Sequence, residues 1–319
     1  MQRLINRTDR DRGAVAMVVA LLMVPLIGFA ALAIDVASMW SQQQRLQVAA
    51  DASALAIAQD CAHKNCGDPD ATAATMTSAN FGGGATQTVS LDEADGKVSV
   101  LTATVSHHLF APLLGFDSTT VSASASAAWG APSGGPAVLP LTISACEFQN
   151  EIGGGVPTAV EAIPLAKISD PACPGWSAPG GFGWVDVDQD GVGDGGGNCT
   201  YDSQIGQELS SDPGKSISNG CSVADFNKVF GKTVLLPIFS TADGTGTNAT
   251  YHVYAYAAFV LTGYDFQGNH DGGDYSLCKA YKNQDCIVGS FVKLVDLDNA
   301  YDYSITAPGL GTMIVGLTG

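Results

Sequence analysis

Charge is scarce in this 319-residue chain: 14% of residues are Asp, Glu, Lys or Arg, and 14 Lys+Arg stand against 31 Asp+Glu for a net charge of −17. Five Arg and five acidic residues fall within residues 1–60, so beyond that point nine Lys face 26 Asp+Glu. Such a surface argues against nucleic acid as a partner, because phosphate binding needs clustered Lys and Arg that release counterions. Catalytic signatures are missing too. His63, His107, His108, His252 and His270 stand in no H-E-x-x-H pattern, there is no nucleophile elbow, and no glycine-rich phosphate loop follows a strand. The eight Cys include no C-x-x-C pair, which argues against tetrahedral zinc and a thioredoxin-like redox motif. The expectation is a chain that is not an enzyme and has no small-molecule substrate. Hydrophobic residues make up 46%, enough to bury a core and to argue against wholesale disorder.

Ala14 to Ile34 is a run of 21 consecutive residues with no charge (AVAMVVALLMVPLIGFAALAI), apolar throughout. At a rise of about 1.5 Å per residue it reaches about 30 Å, the thickness of a hydrocarbon core. The apolar region of a cleaved secretory signal is shorter, about 7–15 residues, so a retained anchor is the expectation. Arg3, Arg7, Arg10 and Arg12 precede the run and Asp35 follows it. That asymmetry predicts a single-pass membrane protein with residues 1–12 as a basic cytoplasmic leader and the rest extracytoplasmic. Pro25 and Gly28 lie inside the run, where a bilayer favours a kinked helix over a stop. Helical spacing continues through Val36, Met39, Trp40, Leu46, Ala49, Ala50, Ala54 and Ile57, in a segment rich in Ala, Gln and Leu. One helix over 13–60 follows, half in lipid and half out, with Trp40 placed as an interfacial aromatic. Its small Ala face suits either packing on the following domain or a helix-bundle core shared in an assembly.

Arg12-Gly13-Ala14, the apolar span with Pro25, Ala33-Ile34-Asp35-Val36, Arg45-Leu46-Gln47 and the stretch Ala49 to Ala56 (AADASALA) resemble the N-terminus of TadE/TadG-like proteins of bacterial tight-adherence (Tad, or Flp) pilus systems. Downstream, Phe182-Gly183-Trp184, Thr233–Pro237, Ala257–Tyr264 and Gly289–Val292 look like the C-terminal part of the same group. The resemblance implies a membrane-anchored structural or accessory component of the pilus, minor pilin-like or serving assembly or adhesion. Its implied partners are other Tad pilus or secretion components and pilin-like subunits, met through the N-terminal helix, with incorporation in surface pili as one outcome. The design is also similar to type IV pilins, which implies peptidase cleavage between Gly13 and Ala14. Val18 stands where a pilin usually has Glu, and the chain is far bulkier than a small Flp subunit, so an accessory protein is expected over a major pilin. Some members carry a von Willebrand A metal site, Asp-x-Ser-x-Ser; here Asp51-Ala52-Ser53-Ala54-Leu55 fails at its last position.

After the helix, residues 85–92 and 97–106 alternate in polarity around Glu93-Ala94-Asp95-Gly96, the signal of a hairpin with an Asp-Gly turn. Leu109–Leu114 suggests a short helix and Thr119–Trp129 another strand, so residues 61–129 read as a small α+β, pilin-like sheet domain. Gly130–Pro136 (GAPSGGP) reads as a linker. Residues 137–319 then carry six of the eight Cys and strand patterns at 138–144, 232–239, 250–264, 286–297 and 310–318. The fold class expected is α+β: a long pilin-like transmembrane helix, a small antiparallel sheet, then a disulfide-stapled, mainly β outer domain.

An extracytoplasmic location favours disulfides among Cys61, Cys66, Cys146, Cys173, Cys199, Cys221, Cys278 and Cys286. Spacing suggests Cys61–Cys66, Cys278–Cys286, Cys199–Cys221 and Cys146–Cys173 among 105 connectivities. The sharpest local chemistry is DVDQDGVGD at 186–194, where acids alternate and Gly191 holds the sixth place, as in the first half of an EF-hand calcium loop. Asp186, Asp188 and Asp190 offer carboxylates, Val192 its carbonyl, and Asp194 a water-mediated ligand. The twelfth position is Gly197 rather than Glu, so Ca2+ would need a further carboxylate such as Asp202; the alternative is a solvated Asx-turn loop. Calcium here carries a second functional reading, an envelope-tethered, calcium-dependent adhesive or ligand-binding module with no pilus role. Asp271, Asp274, Asp296, Asp298 and Asp302 read as a solvated acidic face.

Overall fold

The computed structural model describes residues 8–146, 148, 159–164, 183–188, 199–212, 217–218, 220–244, 248–268, 270–281, 285–296 and 302–318. Helix α1 runs from Thr8 to Ala62 without a break at Pro25, longer at both ends than the 13–60 expected. From Asp35 to Ala62 it contains neither Gly nor Pro, and Ala and Gln are its commonest residues, so nothing in the backbone opposes helix propagation. Lys64, in the left-handed region at φ 61°, ends it, and the Cys61–Cys66 disulfide staples that end.

A second helix, α2 (Pro69–Asn80), turns back against α1. Asp68 caps it by accepting a hydrogen bond from the Ala71 N–H at 3.1 Å, and Pro69 holds the first position, where its missing N–H costs nothing. Strands β1 (Ala85–Asp92) and β2 (Lys97–His107) then pair antiparallel from Asp92↔Lys97 out to Ala85↔Thr104. Gly96 closes that turn with φ 62°, and a Cβ there would collide with the Trp129 carbonyl, so only Gly fits.

Strand β3 spans Ser118–Ala137. Residues 130–136, expected as a linker, are therefore its second half, with Gly and Pro tolerated where short strands pair beside them. Gly134 to Ala137 pair with β6 (Tyr201–Gln204), and Ala131 to Gly134 with β13 (Asp302–Ser304). The C-terminal strand β14 (Met313–Leu317) also joins β3, opposite Ala127–Gly130, and pairs in parallel with β12 (Leu294–Asp296). The end of the chain thus belongs to the first sheet, ordered β1-β2-β3-β14-β12, and not to a separate outer unit.

The outer half of α1 covers one face of this sheet. Ala50, Ala54, Ile57 and Ala58 are fully buried against Val98, Val100, Ala125, Ala127, Trp129 and Val315. Alanine on both sides lets helix and sheet approach closely. The buried Thr102 hydroxyl donates to the Leu46 carbonyl at 3.0 Å, and the Gln47 amide to the Ser124 carbonyl at 3.1 Å.

The second sheet is ordered β4-β8-β9-β11-β5: Ile143–Ser144, Thr233–Asp243, Thr250–Phe266, Cys286–Val292 and Glu161–Pro164. Strands β7 (Glu208–Ser210) and β10 (His270–Gly273) pair with the two ends of β9. The stretch expected as one strand over 286–297 splits, β11 staying here and β12 crossing to the first sheet. Central β9 is covered on both faces: Ala255, Ala257, Phe259 and Leu261 enter one core, Tyr251, Val253, Tyr256 and Ala258 the other. Burial on both faces explains its near-continuous apolar run. Pro237, inside β8, is tolerated beside the bulges that follow it at Ile238 and Phe239.

The Phe-Gly-Trp motif also has a structural reason. Gly183 sits at φ 53° with the Thr142 backbone against it, which leaves no room for a Cβ. The chain so turned delivers Trp184 into an aromatic cluster with Phe226, on the short helix α3 (Val223–Lys228), and with Phe266. The α+β class is as expected: an apolar N-terminal helix, an antiparallel first sheet and a mainly β remainder.

Candidate functional site

Two surfaces of α1 differ completely. Its outer half is packed under the sheet, whereas the apolar inner half contributes nothing to the core and is long and apolar enough to cross a membrane. The junction between them is built around Asp35, the first charge after the apolar run.

Asp35 is almost fully buried although it lies on the rim of the fold. Its carboxylate accepts three backbone hydrogen bonds, from Leu109 (2.8 Å), Phe110 (3.0 Å) and Ala111 (2.8 Å). Burial by itself would raise this carboxyl, but the three N–H donors and neighbouring His108 outweigh it and hold Asp35 below the ordinary carboxylate range. The donors open a short 3-10 turn, Ala111–Leu114, at the tip of the β2–β3 connection. Gly115 closes the turn in the left-handed region at φ 91°.

The same connection presents Leu109, Phe110, Leu113, Leu114 and Phe116 to the outside, Leu113 being 87% exposed. Phe110, Leu113 and Leu114 face Leu32, Phe29 and Pro25 of α1 across an apolar groove of about 330 Å³. Sequence reading places a short helix at 109–114 but finds no role for it. A signal was available: LFAPLLGF, eight residues without a charge, between His108 and Asp117.

The other expected site residues fall as follows. Gly13 and Ala14 lie on the helical backbone of α1. Cys61–Cys66, Cys199–Cys221 and Cys278–Cys286 are disulfides. Cys146 is also disulfide-bonded, while Cys173 lies outside the described residues. In the acidic loop, Asp186 is buried and Asp188 exposed; Asp190, Val192 and Asp194 lie outside the described residues. Elsewhere, no cluster of three His, Cys, Asp or Glu side chains suits a metal among the described residues.

The histidines do not converge. His252 faces an acid with each ring nitrogen, Asp243 at 2.7 Å and Glu208 at 3.6 Å, on an open surface. His108 pairs with the Thr119 hydroxyl at 2.9 Å and His63 with the Gln59 carbonyl at 2.7 Å. Beneath the second sheet, burial pushes the Tyr256 phenol up to about 12 while its hydroxyl donates to Ser203 at 2.8 Å. It is a neutral phenol in the core.

Residues 13–60 match the family model described as putative Flp pilus-assembly TadE/G-like. The matched segment lies within α1, leaving out its first five and last two residues, and so contains both the apolar span and the face that packs on the first sheet. No curated protein and no solved structure matches the chain.

Proposed function

We propose, from the premise that residues 13–60 carry the TadE/G-like segment of Flp pilus assembly, that this protein is a membrane-anchored, non-catalytic component of that machinery. Helix α1 spans the membrane through Ala14–Ile34 with residues 1–12 in the cytoplasm, and both sheets stand on the extracytoplasmic side. The observation that carries this reading is the division of one unbroken helix into an unpacked apolar half and a half embedded in the first sheet. That arrangement couples a membrane segment rigidly to a folded head, as an anchor or a helix able to enter a filament requires. The disulfides fit an oxidising compartment outside the cytoplasm. Bulk and the absent pilin-like Glu favour an accessory or minor pilin-like role over a major subunit.

The test is mechanical shearing of cells that make the protein, with immunoblots of sheared filaments and membrane pellet and N-terminal sequencing of the band. Filament association with an N-terminus at Ala14 makes it a processed, minor pilin-like subunit. An uncut protein confined to membranes makes it an anchored accessory factor, and a protein found in neither fraction removes the proposal.

A further inference from the structure

We propose that the β2–β3 connection, residues 109–116, is a second membrane-embedded element: it enters the acyl-chain region of the leaflet next to the folded head, beside α1. The inference deepens the anchored reading above and rests on it. Three observations carry it. First, the exposed side chains Leu109, Leu113, Leu114 and Phe116 form one apolar tip with no charge among them. A patch of this kind on a protein surface marks a membrane or partner contact rather than a solvated loop.

Second, the tip lies at the depth of the span. The groove between it and α1 reaches from Leu32 to Pro25. Pro25 is ten residues before Asp35, about 15 Å along a helix axis, or about half of a hydrocarbon core of about 30 Å. The apolar surface of the tip is thus continuous with the apolar surface of the helix, and His108 and Asp117 bracket it at the level of Asp35.

Third, the backbone of the tip is prepared for a medium without water, where each unpaired N–H costs several kcal/mol. The Leu109, Phe110 and Ala111 amides bond to Asp35. Pro112 has no N–H. The Leu113 amide donates to the Phe110 carbonyl at 3.1 Å, Gly115 to Pro112 at 3.0 Å, Phe116 to Ala111 at 3.2 Å, and His108 to Asp117 at 3.0 Å. Seven of the eight amides from His108 to Phe116 are thereby answered within the chain, whereas solvent answers the amides of a water-facing loop at no cost. Asp35 is in this account a positioning residue, which holds the tip at membrane depth and satisfies its first three donors.

The test uses the full chain in phosphatidylcholine vesicles whose acyl chains carry bromine, with Leu113→Trp as the probe and the parent protein subtracted. Leu113 is exposed enough that the larger ring displaces nothing. The expected result is loss of most of the added emission to the brominated chains, with little quenching by aqueous iodide. Quenching by iodide and not by bromine places the tip in water and overturns the proposal. Protection from both quenchers that weakens as protein is diluted into lipid places it against a second copy and overturns it equally. A Leu22→Trp variant keeps the two readings apart. Bromine quenching at position 22 without quenching at 113 defeats the embedded tip alone, and quenching at neither defeats the anchor itself.

Discussion

Asp35 ties α1 to the β2–β3 connection. A carboxylate that accepts three backbone N–H groups is held in its ionised form, and here those donors belong to a segment more than seventy positions away in the chain. Replacing Asp35 with Ala leaves the amides of Leu109, Phe110 and Ala111 without their acceptor, whereas Asn keeps one oxygen of the two. Amide hydrogen exchange at these three positions in the membrane-bound protein is expected to rise by about tenfold or more in Asp35→Ala and by less in Asp35→Asn; unchanged protection would show that the tip is held by packing alone. The pH dependence follows from the same bonds. Because the folded protein holds this carboxyl below its ordinary value, the contribution is fully present above the unfolded value of 3.8 and is lost as pH falls through the lower folded value. In a His108→Gln background, so that the imidazole beside Leu109 does not contribute, the Leu109 amide proton resonance should therefore stay fixed from neutral pH down to that range and move only below it. Movement at milder acidity would contradict the donor set.

Among elements, α1 decides the architecture, and its two halves were legible for different reasons. The inner half announces itself by 21 uncharged residues, the outer half by Ala and Leu at helical spacing. What spacing could not say was whether the Ala face served this chain or an assembly of chains. Burial of Ala50, Ala54 and Ala58 against β2 and β3 answers for those positions: they pack within the chain. Enlarging Ala54, fully buried between helix and sheet, should therefore destabilise the head itself. Ala54→Leu is expected to cost about 1–3 kcal/mol, read as a lower thermal midpoint at unchanged membrane association; an unaltered midpoint would mean that the helix can lift from the sheet. Helix α2 escaped sequence reading although Asp68-Pro69 is a strong start signal, because the same Gly-Asp-Pro run also reads as the stop of the preceding helix. The hairpin at 85–107 was readable, since alternation and an Asp-Gly turn are local properties. The embedded tip was not: its meaning depends on Asp35, which sequence places in another element.

On the scale of the whole molecule, the mistaken boundary at 130–136 is instructive. Gly, Pro and Ser normally punctuate a chain, and GAPSGGP carries every mark of a linker. Its strand character comes from elsewhere, because β6, β13 and β14 all return to pair along β3, and no local pattern reveals a partner more than sixty residues away. The consequence is a first sheet built from both ends of the sequence, with β3 also packed near β8 and β9 of the second sheet, instead of two units hanging as beads on a string. Val315, on β14, even enters the core beneath α1, beside Trp129. Truncation after residue 311 removes β14, strips one edge of β3 at Ala127–Gly130 of its pairing and uncovers that core. If the head is one cooperative unit, hydrogen exchange should accelerate in β3 and also along residues 50–62 of α1, at the opposite end of the sequence. Were residues 137–319 an independent outer domain, the same truncation would leave the helix as protected as before, so the exchange rate at Ala54 and Ile57 distinguishes the two constructions directly.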